Sequence, residues 1–140
     1  NAGYIIDGQT TDAPILGVLN GIFYNAATTL KPTFANFYKQ PITPANSEDV
    51  DAFVYDNPQQ QYVVAADDSV AQSGYLETYD MNTSAGSDTT GKSSATLDIG
   101  DTSADAASFR LLRSAEDPEN DENAAFRSVV VVPNLIELQS

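Results

Sequence analysis

The sequence predicts an all-β fold: a compact antiparallel sandwich or barrel of about seven to nine short strands with an extended N-terminal arm. Three observations lead there. β-Branched and aromatic runs recur at short intervals, separated by clusters of Gly, Pro, Asn and Asp. Residues 94–99 alternate strictly, with Ala95, Leu97 and Ile99 on one face and Ser94, Thr96 and Asp98 on the other, the period of a half-buried strand. Finally, no segment sustains the i, i+3, i+4 apolar spacing of a helix. Only residues 44–52 and 102–108 have room for a helical turn or two.

Residues 1–13 are polar and lack periodicity, so they read as the arm, with one β domain over 14–140. Residues 15–24 (ILGVLNGIFY) form the first strand, and Gly17 and Gly21 within it mark a bulge or a close backbone approach. A connection over 25–31 leads into a second aromatic strand, 32–39 (PTFANFYK). Pro41 and Pro44 end that unit, because each lacks a backbone donor and restricts the residue before it. Residues 52–55 and 61–66 flank Asp56-Asn57-Pro58, which predicts a hairpin. A weaker strand is expected over 74–79, then a long polar loop over 82–93 before the alternating strand at 94–99. Strands at 109–112 and 127–132 follow, separated by the acidic loop 116–123. The consecutive valines Val129, Val130, Val131 and Val132 predict a strand buried on both faces. Pro133 ends it, and Asn134, Ile136 and Leu138 would share one face of a short terminal strand.

Composition narrows the function. A chain of 140 residues, 41% apolar with seven Tyr and six Phe, is long enough to bury roughly two-thirds of its unfolded surface. There is no cysteine, so stability rests on packing and hydrogen bonds, and redox compartment is not readable. No run approaches the roughly 18 apolar residues of a membrane-spanning helix, and no signal-peptide core is present. The chain opens at Asn1 rather than Met, the start expected of a processed or partial product.

Twenty acidic residues face six basic ones, a net charge of −14. Between Lys39 and Lys92 there is no Lys or Arg, yet Glu48, Asp49, Asp51, Asp56, Asp67, Asp68, Glu77, Asp80 and Asp88 all fall there. Such a chain repels phosphate, so neither nucleic acid nor an anionic membrane is an expected partner. Excess acid keeps a protein soluble. It also suits a salty medium, where the Debye length shrinks to about 3 Å at 1 M ionic strength.

Histidine is absent as well, which removes Ser-His-Asp and Cys-His catalysis and the commonest transition-metal ligands. Acids crowd two loops: Asp117, Glu119, Asp121 and Glu122 in one, Asp98, Asp101 and Asp105 in the other. The ordered calcium-loop pattern is missing, and a solvated acidic turn is the plainer reading. Carboxylate pairs for glycoside hydrolysis are unavoidable among so many acids, and none stands out. Residues 86–92 (GSDTTGK) are one spacer short of a phosphate loop, and Asn82-Thr83-Ser84 is a chance-frequency glycosylation triplet. No enzymatic activity, no cofactor and no metal are expected.

One cluster joins basic and aromatic residues: Lys31, Phe34, Phe37, Tyr38 and Lys39. The plainer reading puts these aromatics in the core with the lysines solvated. The sharper one is a protein-contact patch, with Arg110, Arg113 and Arg127 as companions.

The segments PILGVLNGIFYNAATTLKPTFANFYKQ, AFVYDNPQQQYVVAADD, SSATLDIG and FRLLRSAEDPENDE resemble, in this order, a family of small virion structural proteins of marine and cyanobacterial tailed phages. That pattern runs from an aromatic hairpin through an acidic Y-D-x-P turn and an L-D-x-G strand to a short F-R-[IL]-L strand. It covers the chain from about Pro14 onward; residues 1–13 match nothing in it. The resemblance implies a capsid decoration, or cement, protein on the outer capsid surface of a virion. Its implied partners are the major capsid protein and copies of itself, a trimer being one arrangement. The arm and the hairpin around Phe34, Phe37 and Tyr38 would make the contact, and the lysine-free middle would face solvent or basic capsid loops. The resemblance brings no catalytic residues. The alternative is a carbohydrate- or surface-binding β-sandwich module of the phage-fibre or adhesin type; an acidic hydrolase domain comes third.

Overall fold

Local pairing rules and the valine-rich centre resolve into two antiparallel sheets. The computed structural model describes residues 15–38, 42–82, 84, 86–87, 89–102, 107–121 and 123–134. Among them, eight strands run in order: β1 (Val18–Asn25), β2 (Pro32–Ala35), β3 (Asp51–Tyr55), β4 (Tyr62–Ala65), β5 (Thr78–Asn82), β6 (Thr96–Thr102), β7 (Phe109–Ser114) and β8 (Ser128–Pro133). One sheet has the order β2-β1-β3, the other β4-β8-β7-β5-β6. The expected arm at 1–13 and the terminal strand through Ile136 and Leu138 lie outside the described residues.

The first hairpin forms as its sequence predicts, with Asn25 opposite Pro32 and Phe23 opposite Phe34. Its connection is closed by hydrogen bonds from Leu30 N to Ala26 O (2.8 Å) and from Ala26 N to Lys31 O (3.2 Å). Both glycine expectations are met. The ladder to β3 shifts register between Leu19 and Gly21, the mark of a bulge. At Gly17 a Cβ would fall 1.9 Å from the Tyr55 carbonyl oxygen, so only glycine allows that approach. The second strand is shorter than predicted, ending at Ala35 instead of residue 39. Beyond it the Phe37 ring lies against Gly91, where a Cβ would come within 2.2 Å of Phe37 Cδ1, so this stretch packs on a loop.

The hairpin predicted around Asp56-Asn57-Pro58 is not one. A turn does form there, with Gln60 N donating to Asn57 O (3.1 Å) and Gln59 N to Asn57 Oδ1 (2.9 Å). The strands it joins, however, belong to different sheets: β3 pairs with β1, and β4 with β8. Turn chemistry bends the chain but does not choose the partner. That choice falls to the longer apolar ladders, β1 for β3 and the valine strand for β4.

The five-stranded sheet curls until its outer strands meet. Every neighbouring pair in it is antiparallel. With an odd number of alternating strands, the closing pair must then run parallel, and it does: Ala66 bridges Leu97 in parallel. Asp67 N donates to Leu97 O (3.0 Å), and Asp67 Oδ1 accepts from Ile99 N (2.9 Å). The interior holds Ala66, Val70, Tyr79, Leu97, Phe109, Leu111, Val129 and Val131, with Ile15, Tyr62, Val64, Met81 and Ile99 packed around them. Burying each large apolar side chain contributes about 1.5–3 kcal/mol.

β8 lies between β4 and β7, which explains its sequence: Val129, Val130 and Val131 are buried and Val132 half-buried. The alternation at 94–99 places Leu97 wholly inside, and the strand runs on to Thr102. The weak strand expected at 74–79 begins later, at Thr78. A 3-10 turn, Gln72–Gly74, precedes it and is tied down by Tyr79 Oη donating to Gly74 O (3.0 Å). The helical turn allowed at 44–52 is a 3-10 turn, Ala45–Ser47, and residues 103–106 of the other candidate lie outside the described residues. Among the described residues, no helix is long and apolar enough to cross a membrane.

Candidate functional site

The three-stranded sheet presents an aromatic face to solvent, and strand registry shows how. Residues directly opposite one another share a face, and residues two apart along a strand share it too. Phe23 pairs with Phe34 on one side and Asp51 on the other, while Gly21 lies opposite Phe53 and Val18 opposite Tyr55. Phe34, Phe23, Phe53, Tyr55 and Val18 therefore line one face. Leu19, Ile22, Tyr24, Ala35, Ala52 and Val54 line the other, where Ile22 is buried at 2% exposure and Leu19 and Ala52 are exposed.

The outward face is unusually apolar. Phe34 is 74% exposed, Phe53 49%, Tyr55 50% and Val18 36%. The Phe23 and Phe34 rings meet with centroids 4.6 Å apart at 40°, a tilted pair that braces Phe34 from one side only. Single exposed apolar residues need no explanation, whereas several on one face of a three-stranded sheet make that face the candidate site. At the hairpin end stand Leu30, exposed in left-handed backbone (φ 52°), and Lys31, also exposed. Acids edge the same face: Asp51 opposite Phe23, and Glu48, whose Oε2 accepts from Asn25 Nδ2 (3.0 Å).

The basic-aromatic cluster read from the sequence is only partly gathered here. Phe34 lies on the face and Lys31 at its hairpin tip. Phe37 is half-buried over Gly91 and so is not presented, Tyr38 is about half exposed beyond the strand end, and Lys39 lies outside the described residues. The plainer expectation of core aromatics fails for Phe34, because the sheet turns Ile22 inward instead. Sequence reasoning missed Phe53, Tyr55 and Val18. The signal available was the D-A-F-V-Y alternation, which puts Asp51, Phe53 and Tyr55 together on one side.

The arginines named as companions do not join the patch. Arg110 and Arg113 lie on β7 of the other sheet, Arg110 donating to Asn134 Oδ1 (3.3 Å) and Arg113 pairing with Glu116 (3.2 Å). Arg127 is buried, its guanidinium 5.7 Å from the Tyr75 ring centroid and hydrogen-bonded to Tyr75 Oη.

Among the described residues, three carboxylates of the acidic loops are used locally; Glu122, Asp105 and the Asp101 side chain lie outside what is described. Asp117 Oδ1 accepts from Glu119 N (3.0 Å), Asp121 Oδ1 from Asn123 N (2.9 Å) and Asp98 Oδ1 from Gly100 N (3.0 Å), all short turns. Among the described residues, no group of three or more acids is arranged to hold a metal ion. Open cavities of about 240 and 340 Å³ lie along this loop, both lined by Asp117 and Asn120, rather than on the aromatic face. Asp80 is buried on β5, and its Oδ1 accepts from Ser108 N (3.1 Å) and Oγ (3.3 Å), a structural use of a carboxylate.

Where the two sheets join, Tyr62 Oη donates to Tyr55 O (3.2 Å). Burial raises the Tyr62 pKa above the ordinary tyrosine value, and Tyr55 and Asp56 push it further the same way. Tyr79 is raised by burial too, with Glu77 adding to the effect.

No protein-family model matches the chain, and comparison with curated proteins and with solved structures finds no match. The fold and the face define an acidic, all-β protein with an exposed aromatic sheet surface.

Proposed function

We propose that this protein is a capsid decoration protein of a tailed phage. In this reading it binds the major capsid protein on the outer surface of the icosahedral shell and braces adjacent subunits. The observation that carries the proposal is the solvent-facing array of Phe34, Phe53, Tyr55 and Val18 on a sheet that buries Ile22 on its other side. Fully burying an exposed side chain of this size is worth about 1.5–3 kcal/mol, of which roughly half remains to be gained at Phe53 and Tyr55 and more at Phe34. A binder that recognises only the assembled shell stabilises that state by mass action. The charge of −14 supports an exterior position, since a packed genome makes the interior polyanionic. The order of motifs along the chain, which resembles small phage virion proteins, points the same way. Copies associate with one another on the shell, three at a junction being one arrangement.

The test is attachment to capsids purified without this protein. The unsubstituted chain should cosediment with them. The double variant Phe34→Ser, Phe53→Ser should bind about a hundredfold more weakly, the loss of about 2.7 kcal/mol. Undiminished cosedimentation of the variant, or electron microscopy placing the chain inside the shell or in the tail, would overturn the proposal. The same flat aromatic array suits sugar stacking. Saturable glycan binding without capsid attachment would favour the carbohydrate-binding reading instead.

A further inference from the structure

The two sheets treat their edges differently. In the five-stranded sheet the outer strands β4 and β6 close on each other through Ala66, Leu97 and Asp67. In the three-stranded sheet, no described strand pairs with the outer edge of β2 or β3. β2 is four residues long and opens with Pro32, which lacks an N–H, so it is a poor template. β3 has five residues with neither Pro nor Lys among them, and Asp51 is the one charged residue in the strand.

Registry shows which groups that edge offers. Alternation along an antiparallel strand directs the amide and carbonyl of successive residues to opposite sides. The Tyr55 carbonyl lies against Gly17 on the β1 side, so Phe53 and Asp51 also turn toward β1. Ala52 and Val54 then present their amides and carbonyls outward.

Charge specifies what can come. Asp49 and Asp51 stand at one end of this strand and Asp56 at the other, all exposed, in a stretch without Lys or Arg from Lys39 to Lys92. A second copy added antiparallel would bring Asp49 and Asp51 alongside its own Asp56, which is repulsive. A strand with basic ends is complementary.

We infer that the outer edge of β3 accepts an extended protein segment with Lys or Arg at both ends, which adds a fourth strand to the sheet. Backbone bonds at Ala52 and Val54 supply register, and the aspartates select the basic ends. The inference rests on the reading of this sheet as the contact module, and it adds how a capsid subunit would engage it.

The intact protein is tested with a blocked synthetic peptide, KRTVTVRK, against EETVTVEE, by amide hydrogen exchange. The basic peptide should bind saturably and slow exchange at Ala52 and Val54 at least tenfold; the acidic peptide should do neither. Val54→Pro removes an outward amide without breaking the β1 ladder, so it should abolish the effect. Asp51→Lys with Asp56→Lys should reverse the peptide preference. Slow exchange at both amides in the protein alone, equal binding of the two peptides, or no binding would each overturn the inference. So would sedimentation showing a dimer that Val54→Pro dissociates, because a second copy would then occupy the edge. The unsubstituted chain answers the exchange question even if the proline variant fails to fold. If Phe34→Ser, Phe53→Ser loses capsid attachment while the peptides give a negative result, the edge fails and the decoration reading stands.

Discussion

The two sheets differ in where they place their large apolar side chains. The five-stranded sheet spends its large apolar side chains inward: Tyr79, Leu97, Leu111, Val129 and Val131 are almost wholly buried, and its edges seal each other. The three-stranded sheet buries Ile22 but leaves Phe34, Phe53, Tyr55 and Val18 on one face, and Leu19 on the other, partly or mostly exposed. A residue whose side chain is surrounded by its own protein holds the fold, and its loss is felt everywhere. An exposed aromatic adds little to the isolated chain and gains its value only against a partner.

Substitution should separate the two roles sharply. The largest expected effect is Leu111→Ala, which empties the middle of the closed sheet and should destabilise the protein by about 2–5 kcal/mol. Urea denaturation would show it as a lowered midpoint. Phe34→Ser should move that midpoint by less than about 1 kcal/mol, because the ring is mostly in water already. A large stability loss from Phe34→Ser would erase the contrast drawn here. Next in size is the seal itself. Asp67→Ala removes the carboxylate that accepts from Ile99 N, a charge-assisted bond worth about 1.5–3 kcal/mol. Its signature should be local, with faster amide exchange in β4 and β6 than in β7 and β8.

Residues 1–13 sharpen the comparison from the contact side. If they contribute to docking as an extended polar arm, their deletion should weaken capsid attachment several-fold and leave the urea midpoint within about 0.5 kcal/mol of the full chain. Loss of folding on deletion would move these residues from the contact account to the stability account.

Much of the strand plan was legible because its signals are local. Period-two alternation at 94–99, the valines of β8 and the glycines at 17 and 21 each act through their own neighbours. The partner of β4 was not legible. Asp56-Asn57-Pro58 makes the same turn whether the chain returns beside β3 or crosses to the other sheet, and the ladder on offer in β8 decides. The candidate site was half legible for a related reason. D-A-F-V-Y alternates so that either face suits burial, and only the inward turn of Ile22 determines that Phe53 and Tyr55 stay wet. Arg127 misled for the opposite reason. A lone arginine after an acidic loop reads as surface charge, and its burial depends on Tyr75, far away in sequence, lying beneath it.

The smallest expected effect lies at high pH, where two tyrosines of the five-stranded sheet are perturbed. Tyr62 joins the sheets and Tyr79 sits inside the closed one; burial raises both pKa values above the ordinary tyrosine range. A group whose folded pKa exceeds its unfolded value binds its proton more tightly in the folded state. Its contribution is therefore complete below about pH 10, the unfolded tyrosine value, and is lost as pH rises through the folded pKa. Tyrosinate absorbance should accordingly show Tyr62 and Tyr79 ionising late, as the structure gives way. Tyr79→Phe loses the bond to Gly74 O, about 1 kcal/mol at neutral pH. It also removes one group that must ionise, so its stability should fall less steeply above pH 10 than that of the parent chain. Parallel pH profiles for the two proteins would show that Tyr79 titrates no differently folded than unfolded, and that alkaline loss of stability begins elsewhere.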